Sequence, residues 1–174
     1  MQSVNLIIRT ILAAAGLSIA SSCAITPSVD PASVVQVNRI LEIPDRKARV
    51  YIQNGKETAK RDLDPWSIYC SVLMQDKHSS GKPKLIISPG LFEIIKVREQ
   101  SERLDFPGNF VASRQLDYYP PIVIYRIEMR LKSTDQPGVR SLICAKQVEG
   151  IVRQSPTLAE IGIALGNAIE IKTP

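Results

Sequence analysis

The stretch IVIYRIEMRLKS, residues 122–133, alternates regularly between apolar and charged side chains. The apolar positions are Val123, Tyr125, Ile127, Met129 and Leu131, and the charged ones are Arg126, Glu128, Arg130 and Lys132. This period of two predicts a β-strand with one buried face. The turn-forming segment TDQPG follows at residues 134–138, and VRSLICAKQV returns at residues 139–148. The pattern therefore predicts an antiparallel hairpin.

Further segments on either side favour the same fold class. RKARVYIQ (46–53), which ends at Asn54-Gly55, and SIYCSVLMQ (67–75) also alternate. KLIIS and LFEIIKVRE, joined by Pro89-Gly90, predict a second hairpin. Near the end, SPTLAEIGIALGNAI changes to helical spacing, with Thr157 and Glu160 placed for a capping box. We therefore expect a mainly antiparallel β domain, either a sandwich or an open barrel, with one carboxyl-terminal helix.

The segment VDPASVVQVNRILEIPD, residues 29–45, is ambiguous by itself. Asp30-Pro31 is a good helix start, and Val34, Val37 and Leu41 have helical spacing, although the segment is rich in β-branched residues. A short amino-terminal helix and an irregular arm both remain open.

Composition indicates one globular domain and a mixed surface. The 174 residues are 44% hydrophobic and 22% charged, with a formal net charge of +5. Lysine and arginine are interspersed with acids, as in RKARVYIQNGKETAKRDLD, so no basic stripe suggests nucleic-acid binding. We expect no nucleic-acid partner.

The amino-terminal segment has the plan of a signal peptide. Residues 1–22 carry one cation, Arg9, then an uncharged apolar run, then Ala20, Ser21 and Ser22 just before Cys23. In this arrangement the segment resembles bacterial lipoprotein precursors, and the resemblance implies that Cys23 is acylated and becomes the new amino terminus. Ordinary secretory cleavage beside the same small residues is one alternative, and a buried structural Cys23 is the other.

This interpretation divides the chain into a signal peptide (1–22), a lipidated tether and arm (23–45) and a single β-rich domain (46–174). The proline-interrupted stretch AITPSVDPAS after Cys23 suits a tether between a membrane and a folded body. Because Ala24 rather than Asp follows the cysteine, the resemblance implies the periplasmic face of the outer membrane.

Acylation of Cys23 would leave Cys70 and Cys144 as the remaining cysteines of an exported chain. Export to an oxidising compartment makes an intramolecular disulfide their expected state.

The long segment RLDFPGNFVASRQLDYYPP, residues 103–121, has no clear periodicity and is rich in aromatic residues. Loops of this length in compact domains are often functional. We expect Phe110, Tyr118 and Tyr119 to form a partner-binding surface, and packing over an open end of the sheet is the alternative.

Residue inventory argues against most enzyme classes. The one histidine, His78, lies in a polar segment, no Cys-x-x-Cys is present, and Asp62 and Asp64 near Trp66 are a weak pair of candidate acids. We expect neither a metal nor a cofactor. The stretches RVYIQNGK and DPWSIYCSVLM resemble small Gram-negative envelope lipoproteins of uncharacterised function, and this resemblance implies no reaction. The expected function is a non-enzymatic, envelope-anchored binding or accessory protein, and a periplasmic or secreted hydrolase-like enzyme with a carboxylate site is the alternative.

Overall fold

A mainly antiparallel β fold with one α-helix near the carboxyl end confirms the predicted fold class. The computed structural model describes residues 29–44, 48–75, 85–104, 120–150 and 154–174. Its elements in chain order are β1 (Val34–Val37), β2 (Leu41–Glu42), β3 (Arg49–Gln53), β4 (Lys56–Thr58), a 3₁₀ helix (Lys60–Asp62), β5 (Tyr69–Met74), β6 (Ile86–Ile87), β7 (Gly90–Leu104), β8 (Ile122–Lys132), β9 (Val139–Glu149), α1 (Leu158–Leu165) and β10 (Ile169–Lys172).

Eight of these strands form one sheet in the order β10-β1-β7-β8-β9-β5-β3-β4, and β2 pairs with β6 in a separate two-stranded sheet. Every pairing in both sheets is antiparallel. Helix α1 contacts β10 at one edge of the large sheet and also β3 and β5 near the opposite edge. The sheet is therefore a half-barrel that curves around the helix.

The predicted hairpin of β8 and β9 lies in the middle of this sheet. Its register places Ile127 opposite Cys144 and Met129 opposite Leu142, and all four side chains are fully buried. Tyr125 and Leu131 on the same face are also buried. Alternation in the sequence therefore identified both the strand and its inner face, which is the face toward α1.

The predicted strand ends at Asn54-Gly55, and there the chain turns into the β3–β4 hairpin. Both residues have positive φ angles, 53° and 74°, which is the backbone of a type I′ turn. The turn also packs against the end of α1, where the Gly55 amide donates a hydrogen bond of 2.9 Å to the Ala164 carbonyl. A local turn thus becomes a contact between the sheet edge and the helix.

The prediction of an irregular arm or short helix before residue 46 was wrong. Residues 34–37 form β1, which pairs with β7 on one side and β10 on the other. The Asp30 side chain does bond a nearby amide, that of Ala32 at 2.8 Å, but the chain makes a turn there rather than a helix. Because Val29, Val35 and Val37 belong to the core, the folded domain includes residues 29–44 and does not begin at residue 46.

The expected hairpin across Pro89-Gly90 was also wrong. β6 pairs with β2 in the small sheet, whereas β7 pairs with β1 and β8 in the large one. The Pro-Gly pair therefore carries the chain from one sheet to the other. Adjacent strands joined by a turn signal need not pair with each other when each has a better partner elsewhere.

Helix α1 begins with the predicted capping box: the Glu160 amide donates to the Thr157 hydroxyl, and the Thr157 amide donates to the Glu160 carboxylate. The helix is shorter than its sequence pattern, because it ends at Leu165 and the chain then forms β10. Ile161 and Leu165 face the core, as the spacing predicts.

Candidate functional site

The predicted partner-binding residues Phe110, Tyr118 and Tyr119 lie outside the described residues, and so does Cys23. The structure does describe the two ends of the segment that carries the aromatic residues. Leu104, the last residue of β7, pairs with Ile122, the first residue of β8. The Gly150 amide bonds the Pro121 carbonyl at 2.9 Å, which holds the end of β9 beside this point.

A polar groove of about 400 Å³ lies near this end of the hairpin, lined by Glu99, Gln100, Ser101, Tyr125 and Ser155. Three of these residues are consecutive in β7. Glu99 pairs with Ile127 and Ser101 pairs with Tyr125, so these side chains lie on the inner face of the sheet. The groove therefore opens on this face, beside the segment that leads into α1.

The best-defined contact in this groove is a hydrogen bond of 2.9 Å from the Ser155 hydroxyl to a Glu99 carboxylate oxygen. A serine nucleophile needs a base that is oriented by a third group. His78, the only histidine of the sequence, lies outside the described ranges. Among the described residues, no group of three or more His, Cys, Asp or Glu side chains could hold a metal ion. The groove offers hydrogen-bonding groups to a polar ligand.

Beside α1, an ion pair joins β9 to the helix start. Lys146 Nζ lies 2.7 Å from a Glu160 carboxylate oxygen, and the lysine side chain is only 13% exposed. Partial burial alone would raise the pKa of Glu160, but hydrogen bonds from Lys146 and Thr157 outweigh it and lower the pKa below its ordinary value. These contacts give the pair a structural role at the helix start.

The candidate acids near Trp66 each contact residues next to them in the chain. Asp64 accepts hydrogen bonds from the Ser67 hydroxyl and the Trp66 amide, which lower its pKa, whereas Asp62 contacts Arg61. Both carboxylates are thus bound to neighbours in the local chain. Trp66 is 50% exposed.

Gln53 organises the same loop, although nothing in the sequence distinguished it. Its side-chain amide group lies within hydrogen-bonding distance of the Asp64, Ser67 and Ile68 carbonyls, and its oxygen accepts from the Asp64 amide. The side chain is nearly buried at 7% exposure. Such a residue has no local sequence signal, because its partners lie about a dozen residues away.

The predicted disulfide is present between Cys70 of β5 and Cys144 of β9. The two residues are direct partners in the antiparallel pairing, with Cα atoms 4.0 Å apart. Both side chains are fully buried on the inner face of the sheet. The bond therefore joins adjacent strands within the core rather than distant parts of the surface.

Several large apolar side chains remain on the surface. They are Ile40, Trp66, Ile86, Leu91, Ile95 and Ile163. Leu91 borders a second groove of about 440 Å³, which Val34, Glu93 and Lys132 also line. No helix in the described parts of the chain has the length and apolar character needed to cross a bilayer.

Comparison with known proteins gives no assignment: no family model, curated protein or solved structure matches this chain.

Proposed function

We propose that the protein is a lipid-anchored, non-enzymatic component of a bacterial cell envelope that binds a partner protein there. The observation that carries the proposal is the buried disulfide between Cys70 and Cys144. Disulfides of this kind form in oxidising compartments and are rare in the cytosol. Export is also what the signal-like segment before Cys23 predicts.

The anchor in this proposal is an acyl chain on Cys23, and the folded domain begins only a few residues after it in the sequence. Val29 is already a core residue at 1% exposure, so only residues 24–28 separate it from Cys23. A connection of this length spans at most about 20 Å even when fully extended. A lipid at Cys23 would therefore hold the domain almost against the membrane, which we place at the periplasmic face of the outer membrane.

A labelling experiment tests the anchor. Cells that express the full chain are grown with a radioactive or clickable fatty acid, and the protein is then isolated from the membrane fraction. We expect label on the unsubstituted protein, and we expect Cys23→Ser to remove it. Ser22→Ala is the matched control, because it changes the residue directly before Cys23 but keeps the thiol and the disulfide, so the label should stay in place. An unlabelled protein would exclude the lipid anchor.

The partner-binding part of the proposal rests on the segment between β7 and β8. The segment is attached to the sheet at Leu104 and Ile122, which pair with each other. Leu104 lies eleven residues along β7 from Glu93, and Glu93 pairs with Val34 near the start of the domain. At the usual rise per residue, this separation is about 35 Å. The aromatic segment is thus attached far from the point where the tether joins the domain.

Replacement of Tyr118 and Tyr119 by Ala tests this part. Tyrosine contributes large contact areas at interfaces, so we expect the double variant to fold normally and to lose the proteins that the unsubstituted chain captures from solubilised envelopes. Tyr51→Ala is the control, because this tyrosine lies on β3 in a different part of the sheet. Equal capture by the double variant would place the binding surface elsewhere, and unfolding would assign the two tyrosines to the core.

A further inference from the structure

The place where the tether enters the domain lies beside the start of β7. Val29 is already a core residue, and a few residues later the Ser33 carbonyl accepts a hydrogen bond of 3.4 Å from the Ile94 amide. In the proposed function, only residues 24–28 separate Val29 from the lipid on Cys23. The anchor therefore holds the surface around Ile94 close to the membrane.

The outer face of the sheet at this place, which is the face away from α1, carries exposed apolar side chains. Phe92 and Ile94 are buried on the inner face, and the alternation along β7 puts Leu91 on the outer one. Ile95 is the extra residue of a β-bulge between Ile94 and Lys96. Leu91 and Ile95 are 61% and 54% exposed, respectively. Two large aliphatic side chains thus remain in solvent on the same short part of β7.

Basic side chains from β7 and β8 surround these two residues on the outer face. Lys96 pairs with Arg130, and Lys132 pairs with Glu93. We call the following six exposed residues the anchor-side patch: Leu91, Glu93, Ile95, Lys96, Arg130 and Lys132. Within the described part of the chain, none of its three cations forms an ion pair with a carboxylate. Cations outnumber carboxylates in the patch, and Asp135 in the turn after β8 lies at its border.

This combination of side chains fits the surface of a bilayer that contains anionic phospholipids. Exposed aliphatic side chains enter the boundary between the head groups and the acyl chains, and neighbouring lysine and arginine side chains reach the phosphates while their stems cover apolar surface. Anionic lipids attract lysine and arginine near a membrane. The short tether already brings the patch to the bilayer, so this contact requires no second protein.

We propose that the anchor-side patch rests on the phospholipid surface of the membrane that holds the acyl chain. Leu91 and Ile95 enter the interface, and Lys96, Arg130 and Lys132 contact the phosphate groups. This inference rests on the lipid anchor of the proposed function. The second contact fixes the orientation of the domain on the membrane, because a tether by itself would leave the domain free to rotate.

Tryptophan fluorescence tests the contact between the patch and the lipid. Trp66 is the only tryptophan of the sequence, so Ile95→Trp in a Trp66→Phe chain places a single reporter inside the patch. The chain is purified from membranes and reconstituted in vesicles of phosphatidylcholine and phosphatidylglycerol, in which some lipids carry bromine high on their acyl chains. Because bromine quenches tryptophan only at close contact, we expect strong quenching of the Ile95→Trp chain.

Ile163→Trp in the same Trp66→Phe chain is the matched control. Ile163 is also an exposed isoleucine, at 66%, but it lies on α1, on the opposite side of the sheet from the patch. We expect severalfold less quenching in this control than in the Ile95→Trp chain. Equal quenching of the two chains, or quenching of neither, would overturn the proposal. Protection of the Ile95→Trp reporter from aqueous iodide without quenching by bromine would also overturn it, because protein would then cover the patch.

A chemical anchor separates the failure of this contact from the failure of the lipid anchor. Mass spectrometry shows whether Cys23 of the purified chain is acylated. If it is not, its thiol is coupled to a maleimide phospholipid in the same vesicles, and no other thiol competes because Cys70 and Cys144 are bonded. Quenching of the Ile95→Trp chain would then support the membrane contact without the natural anchor. Absence of quenching in an acylated chain would overturn the contact and leave the anchor in place.

The cations of the patch give a second measurement. Quenching of the Ile95→Trp chain should fall severalfold when phosphatidylglycerol is left out of the vesicles, because the cations then lose their anionic partners. Lys96→Gln together with Lys132→Gln should give the lower quenching in vesicles of both compositions. Both lysines are exposed, so these changes should not alter the fold. Equal quenching with and without the anionic lipid would overturn the contact between the cations and the phosphates.

Discussion

Loss of the Cys70–Cys144 disulfide should strongly lower the stability of the domain. The bond closes a loop with a sequence separation of 74 residues, and both cysteines are fully buried. In the chain-entropy description, a loop of this length corresponds to about 4 kcal/mol of stabilisation. For a domain of roughly 150 residues, this loss should lower the melting temperature by roughly 10–15 °C.

The variant for this test is the double change Cys70→Ala with Cys144→Ala, because either single change would leave a free thiol buried in the core. The melting temperature is measured by circular dichroism beside the unsubstituted chain, with Cys23→Ala as a control that removes a cysteine outside the described domain. We expect the control to melt with the unsubstituted chain. A thiol count on freshly purified, denatured protein accompanies the melts and should find Cys70 and Cys144 blocked.

Burial of the bond adds a kinetic expectation. Since neither sulfur is exposed to solvent, a mild reductant should leave the native protein intact and should reduce it only after unfolding. The reasoning is refuted if both thiols alkylate in the freshly purified, denatured protein, or if the double variant melts within about 2 °C of the unsubstituted chain.

Two further predictions concern the helix and its start. Gly166→Ala should destabilise the domain by at least about 2 kcal/mol in denaturant titrations, because the new Cβ would lie 2.6 Å from the Gly55 Cα and the residue has a φ of +54°. Gly162→Ala meets nothing within 4 Å and should be neutral or should stabilise the helix by up to about 1 kcal/mol. A larger loss of stability in Gly162→Ala than in Gly166→Ala would contradict the packing of Gly166 against Gly55. The pKa of Glu160 is lower in the folded chain than its ordinary value of 4.5, so its contribution to stability is fully present above that value and is lost as the pH falls through the folded pKa. Glu160→Gln should therefore reduce the difference in the free energy of unfolding between pH 6 and pH 3 in the same titrations. An unchanged difference would show that Glu160 does not contribute to the pH dependence of stability.

Patterns that arise within a few residues were readable from the sequence. Alternation along β8 identified its inner face, Asn54-Gly55 identified the end of β3, and Thr157 with Glu160 identified the start of α1. Each of these features depends only on the local backbone geometry and on which face of a single strand or helix is apolar. The number of cysteines also predicted the disulfide between Cys70 and Cys144, which is present. Export favours disulfides, and the third cysteine, Cys23, was expected to carry a lipid.

Pairing between distant segments was decided by the tertiary structure. The run VVQV became a strand because β7 and β10 lie on either side of it, and β10 itself is only four residues long and follows directly after a helix. A short segment gains most of its stability as a strand from its neighbours, so its own sequence is a weak guide. The same holds for Pro89-Gly90: Gly90 is the first residue of β7, and the strands on either side of the pair have their partners elsewhere.

The candidate interaction surfaces show the same division. The length and aromatic content of residues 103–121 predict a binding segment, and the signal-like segment predicts that the mature chain begins at Cys23. Only the fold shows that β1 pairs with β7 at Gly90 to Glu93, whereas β8 pairs with β7 from Glu93 to Leu104. Whether a strand is central or at an edge depends on which other strands reach it, and that is set by the packing of the whole sheet around α1 rather than by any residue in the strand.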